Sequence, residues 1–324
     1  MGITNRVNKL KKALDSLSKE QGLPKRKIYF DYAISRIKYG CALNHYLVGN
    51  FYKYSSFERR NIFTYKHWNY VVNNFNDQDS IEYLKNKIKF NTLFKDFIGR
   101  DWLYSKSMSR EDFLDFCKKN KRAIIKPMAG LEGDGVEMIK MPNVQNASDF
   151  ANVYLKLKEK DLIIEEVIVQ HPQMVFGNRS VNTIRVYTVM NTDTVSVIKT
   201  VVRAGVGDSI VDNSHSGGCA YEVDKELGYI ISPYYAANGT SSYIHPGTDI
   251  CMLGRKIPFW NEVLKICINA AKIITPPCRF IGWDVAITEK GPLLIEGNHM
   301  PDLDMIEFVG NHGYLNKIMK GLDK

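Results

Sequence analysis

The sequence predicts a layered protein of the α+β or α/β class, and three observations carry that prediction. Residues 1 to about 85 follow helical periodicity. From about residue 120 the pattern changes to short β-branched runs bounded by turn residues. Helical patterns at 146–158, 258–274 and 313–322 alternate with those runs, which excludes an all-helical fold.

The elements follow in order. ITNRVNKLKKALDSLSKEQGL places Val7, Leu10, Ala13, Leu14 and Leu17 at helical spacing, and Gly22-Leu23-Pro24 ends the helix. KIYFDYAISRIKYG reads as a second helix that stops at Gly40. Residues 41–70 are dense in aromatics, including Tyr46, Phe51, Phe63 and Trp68. Core or partner packing is the first reading of that run. Base stacking is the sharper one, because Arg59, Arg60 and Lys66 are interleaved. The strand runs are RAIIKPM (122–128), VEMIKM (136–141), LIIEEVIV (162–169), VNTIRVYTVM (181–190) and VSVIKTVVR (195–203). FIGWDVAITEKGPLLIEGNHMPDLDM (280–305) reads as two strands joined at Lys290-Gly291.

Length and composition set limits. A chain of 324 residues, 44% hydrophobic and 24% charged, suits a soluble globular protein of one large domain or two to three lobes. No run of about 18 apolar residues is present, so a membrane span is not expected. MGITNRVNKL lacks the apolar core of a signal peptide, and Arg6 occupies the Ser/Thr position of a myristoylation signal. The six cysteines, at 41, 117, 219, 251, 267 and 278, form no CxxC pair. Structural zinc and a disulfide framework are therefore not expected, and reduced thiols in the cytoplasm are. Net charge is +9, and residues 1–30 hold eight Lys/Arg against two Asp/Glu. A solvated helical face is the plain reading of that excess. Contact with an anionic membrane face, an acidic substrate or, more weakly, a nucleic acid is the alternative.

Several residues point to chemistry. Asp284 lies inside a strand, and Glu296 and Asn298 end the next one. Acids among Ile, Trp, Val and Leu are costly unless paired. Three hard oxygen donors converging from neighbouring strands suit Mg²⁺ of the kind that also takes substrate phosphates. Lys126 ends an apolar strand ahead of Gly130, Gly133 and Gly135. Such a loop lets backbone N–H groups approach a polyanion. It matches neither the Walker pattern nor a Rossmann fingerprint, because Lys precedes the glycines and a strand follows them. A hairpin turn that simply needs glycines is the alternative. LIIEEVIVQHP (162–172), with Gln173 just after it, offers Glu165, Glu166, Gln170 and Gln173 to a nucleotide base or ribose, or is an edge strand with paired charges. Arg185 and Arg203 fall on adjacent strands among β-branched residues, so each needs an anionic partner. AGVGDSIVDNSHSGGCAYEVD supplies Asn213, Ser214, His215 and Ser216, then Gly217-Gly218, as an anion or substrate lid. His215 serves there as a general base or as a loop hydrogen bonder. No Ser-His-Asp or Cys-His arrangement is evident.

The order of these motifs resembles the ATP-grasp superfamily. The wording is similar to its sugar-transfer-associated family, through FKDFIGRDWL (94–103), KPMAGLEGDGV (126–136), EEVIVQHP (165–172), SVNTIRVYTV (180–189), DNSHSGG (212–218) and GWDVAI…LLIEGNHMPDLD (282–304). The resemblance runs over roughly residues 28–320. It implies an α+β fold of two lobes gripping ATP: a helical N-terminal region (1–85), an N-lobe with a Gly-rich flap (86–170) and a C-lobe with the metal site (171–324). Lys126, under the flap glycines Gly133 and Gly135, then contacts the ATP phosphates, helped by Lys87 or Lys89. Glu165, Glu166 and Ile168 match the adenine and ribose hinge, with Gln173 nearby. Arg185 and Arg203 match positions near the γ-phosphate and acyl-phosphate. Asp284, Glu296 and Asn298 match ligands that usually hold two Mg²⁺. Asn213, His215, Gly217 and Gly218 fall to the substrate, as does His299, which stands where many members have a small residue or Thr. The implied reaction is carboxylate–amine ligation, joining an amino acid or amine to a sugar acid such as a uronic acid in capsule or O-antigen biosynthesis. Ligation of a peptide or small amino compound, carbohydrate phosphotransfer, and a non-enzymatic basic protein bound to membrane or nucleic acid are the alternatives.

Overall fold

A computed structural model describes residues 3–129, 135–178, 180–192, 194–207, 218–236 and 239–323. Helices fill the first part: α1 (Ile3–Glu20), α2 (Lys25–Tyr39), α3 (Leu43–Leu47), α4 (Ser56–Arg59), α5 (Tyr65–Phe75), α6 (Glu82–Lys85), α7 (Lys87–Leu93) and α8 (Lys95–Ile98). Gly40 ends α2 with φ +66°, its N–H returning to the Ser35 carbonyl. Leu14, Leu17, Ile28, Tyr39, Tyr46 and Phe51 form a local core. Beneath it, buried Arg59 makes a two-pronged pair with Asp31 at 2.7 and 3.1 Å. Most of the aromatic run is thus packing: Tyr46, Phe51 and Phe63 are fully buried.

Two antiparallel sheets follow, which settles the class as α+β. The first comprises β1 (Trp102–Tyr104), β2 (Arg122–Pro127), β3 (Glu137–Lys140) and β4 (Leu162–Glu166), in the order β1-β4-β2-β3. Helices α9 (Arg110–Lys119) and α10 (Ala147–Glu159) cover one face over Phe113, Phe116, Ile125, Phe150 and Ile164. Period-two alternation turns Lys126 and Glu165 to the other face. β4 is an interior strand, not an edge. It is also shorter than the apolar run suggests, because 167–169 leave the ladder to cross toward the second sheet.

The second sheet has the order β10-β9-β5-β6-β7-β8. Its strands are β5 (Thr183–Met190), β6 (Val195–Ala204), β7 (Cys219–Glu222), β8 (Tyr235–Ala236), β9 (Phe280–Thr288) and β10 (Gly291–Asn298). Helix α11 (Trp260–Ile273) covers one face through Trp260, Val263, Cys267 and Ala270, against Ile184, Val202 and Trp283. On the other face α5, α12 (Leu303–Glu307) and α13 (Leu315–Leu322) bury Tyr187, Val189 and Phe280. That cover stops short of one end of the sheet, where the face turns polar. All six cysteines are free thiols, five of them buried.

Candidate active site

The polar end of the second sheet is built by register. Arg185 on β5 stands opposite Asp284 on β9, and Glu296 on β10 stands opposite Asp284 from the other side. Strict alternation from Leu294, paired with Val285, would not bring Glu296 there. A β-bulge between Leu294 and Glu296 leaves Ile295 without a ladder partner and turns Glu296 onto the face of Asp284. Arg185 grips Asp284 with both prongs, Nε to Oδ1 at 2.5 Å and Nη2 to Oδ2 at 2.9 Å. Arg203 adds Nη1 to Oδ2 at 2.8 Å. Gly282 leaves room for this arrangement, since a Cβ there would lie 3.2 Å from Arg185 Cδ and 2.7 Å from Pro301 Cβ. Asn298 donates to Glu296 Oε1 at 3.3 Å.

The electrostatics follow from this row. Burial alone would raise Asp284, but the two guanidiniums outweigh it and hold the carboxyl well below the usual range. Glu296 keeps solvent access although many protein atoms surround it. Its pKa is raised, first by loss of water and then by the charge and hydrogen bond of Asp284. Arg185 Nη1 also reaches Asp302 at 3.6 Å, an acid half-open to solvent.

A second charged cluster sits on the first sheet. Glu165 accepts from Lys126 Nζ at 2.6 Å, from Arg100 Nη2 at 3.1 Å and from Asn91 at 3.3 Å. These cations hold Glu165 well below the carboxylate range despite its burial. Arg100 joins the two clusters, because it also donates to the carbonyls of Leu294 at 2.6 Å and Ile295 at 3.3 Å. Those are the carbonyls of the bulge that aims Glu296. Lys87 lies between the clusters. Asn86 caps α7 through the N–H groups of Ile88 and Lys89 and so starts that helix at Lys87. The Lys87 ammonium reaches the Met128 carbonyl at 3.4 Å. Burial lowers it, Glu296 and Glu165 draw it up, and Lys126 presses it down.

The structure therefore brings together Lys87, Lys126, Glu165, Arg185, Arg203, Asp284, Glu296 and Asn298. It does not bring Lys89, which pairs with Glu82 at 3.5 Å in solvent. The sequence offers Glu165 to a base or ribose, whereas here it is enclosed by Lys126, Arg100 and Asn91. Glu166 faces away and accepts from the Asp101 N–H at 3.1 Å. Ile168 is half-buried in the crossing segment, and Gln173 is exposed in a turn capped by His171. Gly135 has φ +70° and would place a Cβ 2.8 Å from Pro127, so a side chain is excluded twice over. Gly218 directly precedes β7. Gly130, Gly133, Asn213, Ser214, His215, Ser216 and Gly217 lie outside the described residues. The His299 carbonyl accepts from Asn76 at 2.8 Å, while burial and Lys85 push its ring down to about 4. His299 is therefore neutral near pH 7. The segment FKDFIGRDWL carries Arg100 without marking a role for it. Its only signal there is a lone Arg between Gly99 and Asp101, after an apolar helix.

Next to this end of the sheet lies an open cavity of about 470 Å³. It is lined by Arg36, His45, Tyr65, Trp68, Asp302 and Asp304 among others. Tyr65 stacks on Trp68 with ring centroids 5.5 Å apart, and His45 pairs with Asp304 at 3.0 Å.

A family model described as sugar-transfer associated ATP-grasp matches residues 68–322. The chain belongs to that family. In this ATP-grasp protein the matched span runs from α5 to the last turn of α13 and takes in both charged clusters. Among solved structures the chain is similar to the ATP-grasp ligase PsnB complexed with minimal precursor, at 16% identity over 76% of this chain and 64% of that one, with a TM-score of 0.44. It is similar to D-alanine–D-alanine ligase from Bacillus anthracis at 13% identity over 71% and 61%, TM-score 0.41. A third is carboxyaminoimidazole ribonucleotide synthase from Aspergillus clavatus complexed with ATP, at 12% identity over 68% and 46%, TM-score 0.40. The ATP-grasp chain thus spans 46 to 64% of the length of those structures. No curated protein matches it.

Proposed function

We propose that this protein is an ATP-dependent carboxylate–amine ligase that works through an acyl-phosphate. The observation that supports the reading most is the facing pair of charged clusters. Lys126 and Lys87 stand on one side. Arg185, Arg203, Asp284 and Glu296 stand on the other, with Arg100 fixing one to the other. Two lysines beside a loop that contains glycine suit the phosphates of ATP. Glu165 then serves to aim Lys126 rather than to read the base.

No group of three or more His, Cys, Asp or Glu suited to a metal occurs among the described residues. The β9–β10 ladder offers two opposed carboxylates and an amide. Asp284 already gives both oxygens to guanidiniums, so Glu296 and Asn298 are the open donors. Mg²⁺ keeps several waters and needs only one or two carboxylates besides phosphate oxygens, so this set fits it. Bound there, Mg²⁺ would neutralise phosphate charge and relieve the opposition that raises Glu296.

The protein's own residues do the rest by placement and charge. Lys126 and Lys87 hold phosphate oxygens. Arg185 and Arg203 present positive charge where a substrate carboxylate oxygen attacks the γ-phosphorus and ADP departs. An amine then attacks the acyl carbon, and phosphate leaves with the C–O bond. The cavity beside Asp302 is the acceptor side in this reading. Its aromatic stack suits the apolar face of a sugar ring, its carboxylates suit hydroxyl or ammonium groups, and Arg36 suits an acid. An amino acid or amine joined to a uronic acid, in surface-polysaccharide synthesis, is the pairing we favour.

The test is a screen of amino acids against uronic-acid sugars, reading Mg²⁺-dependent ADP release with mass spectrometry of the products. We expect ADP only when carboxylate and amine are both present, and none from Glu296→Ala. ADP formed without a carboxylate acceptor, with a sugar hydroxyl phosphorylated, would replace ligation by phosphotransfer.

A further inference from the structure

The family match begins at residue 68 and leaves α1 to α4 outside it. Residues 1–40 hold ten Lys or Arg against three Asp or Glu, a surplus of seven out of the nine of the whole chain. Two of those three acids are already engaged. Asp15 pairs with Lys25 at 3.1 Å, and Asp31 pairs with buried Arg59 at 2.7 Å. The outward charge of this segment is therefore almost wholly positive. Lys9, Lys12, Lys19, Arg26, Lys27 and Lys38 all stand exposed.

Helix α2 has a second property. Its buried residues are Ile28, Ser35 and Tyr39, all on one side. On the opposite side Phe30, Ile34 and Ile37 are 70%, 38% and 83% exposed. Their spacing of four and then three residues puts them in one stripe. At 3.6 residues per turn Lys27 and Lys38 border that stripe and Arg26 extends it. Single exposed apolar residues are ordinary on a protein surface. Three in line, bordered by cations, are the pattern of a helix that lies in the plane of a membrane interface.

We propose that α2, with the basic surface of α1, docks on an anionic lipid bilayer, seating Phe30, Ile34 and Ile37 in the headgroup region. The contact is a surface one, since no helix among the described residues is long and apolar enough to cross a membrane. Lipid is the occupant that uses both properties. A nucleic acid rewards the lysines and has no use for Phe30 and Ile37, whereas an anionic bilayer rewards both. This inference does not depend on the ligase reading.

The test is co-sedimentation of the full chain with vesicles of phosphatidylcholine alone and of phosphatidylcholine with phosphatidylglycerol. We expect binding to the anionic vesicles to be stronger by about tenfold or more and to weaken with added salt. Phe30→Ser with Ile37→Ser keeps every charge and should cut that binding about tenfold, as should Lys27→Glu with Lys38→Glu. All four positions are exposed, and unchanged thermal melts verify folding. Three results would overturn the proposal. One is equal binding to both vesicle types. Another is binding that the serine pair leaves intact while a duplex oligonucleotide competes fully. The third is a concentration-dependent dimer, dispersed by the serine pair, in place of vesicle binding.

Discussion

Asp284 and Glu165 are both buried acids, and each is held by two cationic side chains. Removing either acid takes the carboxylate from the cations packed around it. Asp284→Ala leaves Arg185 and Arg203 buried without their carboxylate, and we expect a loss of about 3–5 kcal/mol in urea unfolding. The pH dependence has a definite sign. Both acids have folded pKa values depressed below their unfolded values, near 3.9 for Asp and 4.3 for Glu. Their contribution is complete above those values and drains away as pH falls toward the folded ones. Stability should therefore drop steeply below about pH 4, and Asp284→Asn should flatten that limb. Glu296 runs the other way. Its folded pKa is raised, so its contribution is complete below the unfolded value and is lost as pH rises through the folded one. Glu296→Gln should thus melt slightly higher than the parent at pH 7 while losing Mg²⁺-dependent ADP release. A lower melting temperature would contradict the opposition between Glu296 and Asp284.

At the scale of elements, the bulge in β10 is the decisive local irregularity. It turns Glu296 onto the face of Asp284 and frees two carbonyls that Arg100 takes up. Arg100→Met should cost about 3–5 kcal/mol, because Glu165 loses a buried partner and the carbonyls lose their donor. It should also lower ADP release, and calorimetry and the activity assay check the two effects separately. Most elements were readable from the chain. The β9–β10 hairpin, the β5–β6 pair and helices α2, α10, α11 and α13 announce themselves by period and turn residues. The bulge did not, because LLIEGN alternates acceptably in either register. Strand β1 escaped notice because three residues carry no period. The placement of Glu165 was also hidden, since a Glu-Glu pair at a strand end does not say which acid turns inward.

Across the whole molecule, the helical N-terminal part is stapled to the second sheet by contacts far apart in sequence. The Phe63 N–H donates to Glu307 at 2.8 Å, Trp68 Nε1 to the Pro301 carbonyl at 2.8 Å and Asn76 to the Phe280 carbonyl at 2.9 Å. Contacts spanning more than 200 residues leave no mark in one sequence, so the packing of helices beside the site could not be read from it. Lys199 anchors the same assembly. Its ammonium, fully buried on β6, donates to the carbonyls of Ile306, Val309 and Asn311 at 2.9, 2.5 and 2.7 Å. Burial lowers its pKa to about 8 against the pull of Glu222 and Glu307. Lys199→Met should destabilise the fold by about 3–5 kcal/mol through the three abandoned carbonyls and the loss of the buried cation 3.8 Å from Glu222. Its effect should appear equally in signals from the helical part and from the sheets. A transition confined to one of them would show that the staple does not couple them.

Gly282 carries no charge and donates nothing from a side chain, yet Arg185 packs across it to reach Asp284. One methyl group at that position would press on Pro301 at 2.7 Å and on the Arg185 stem at 3.2 Å, shifting the guanidinium against its acid. Gly282→Ala would then act through charge although it changes none: with Arg185 displaced, the carboxyl of Asp284 would titrate nearer its ordinary range.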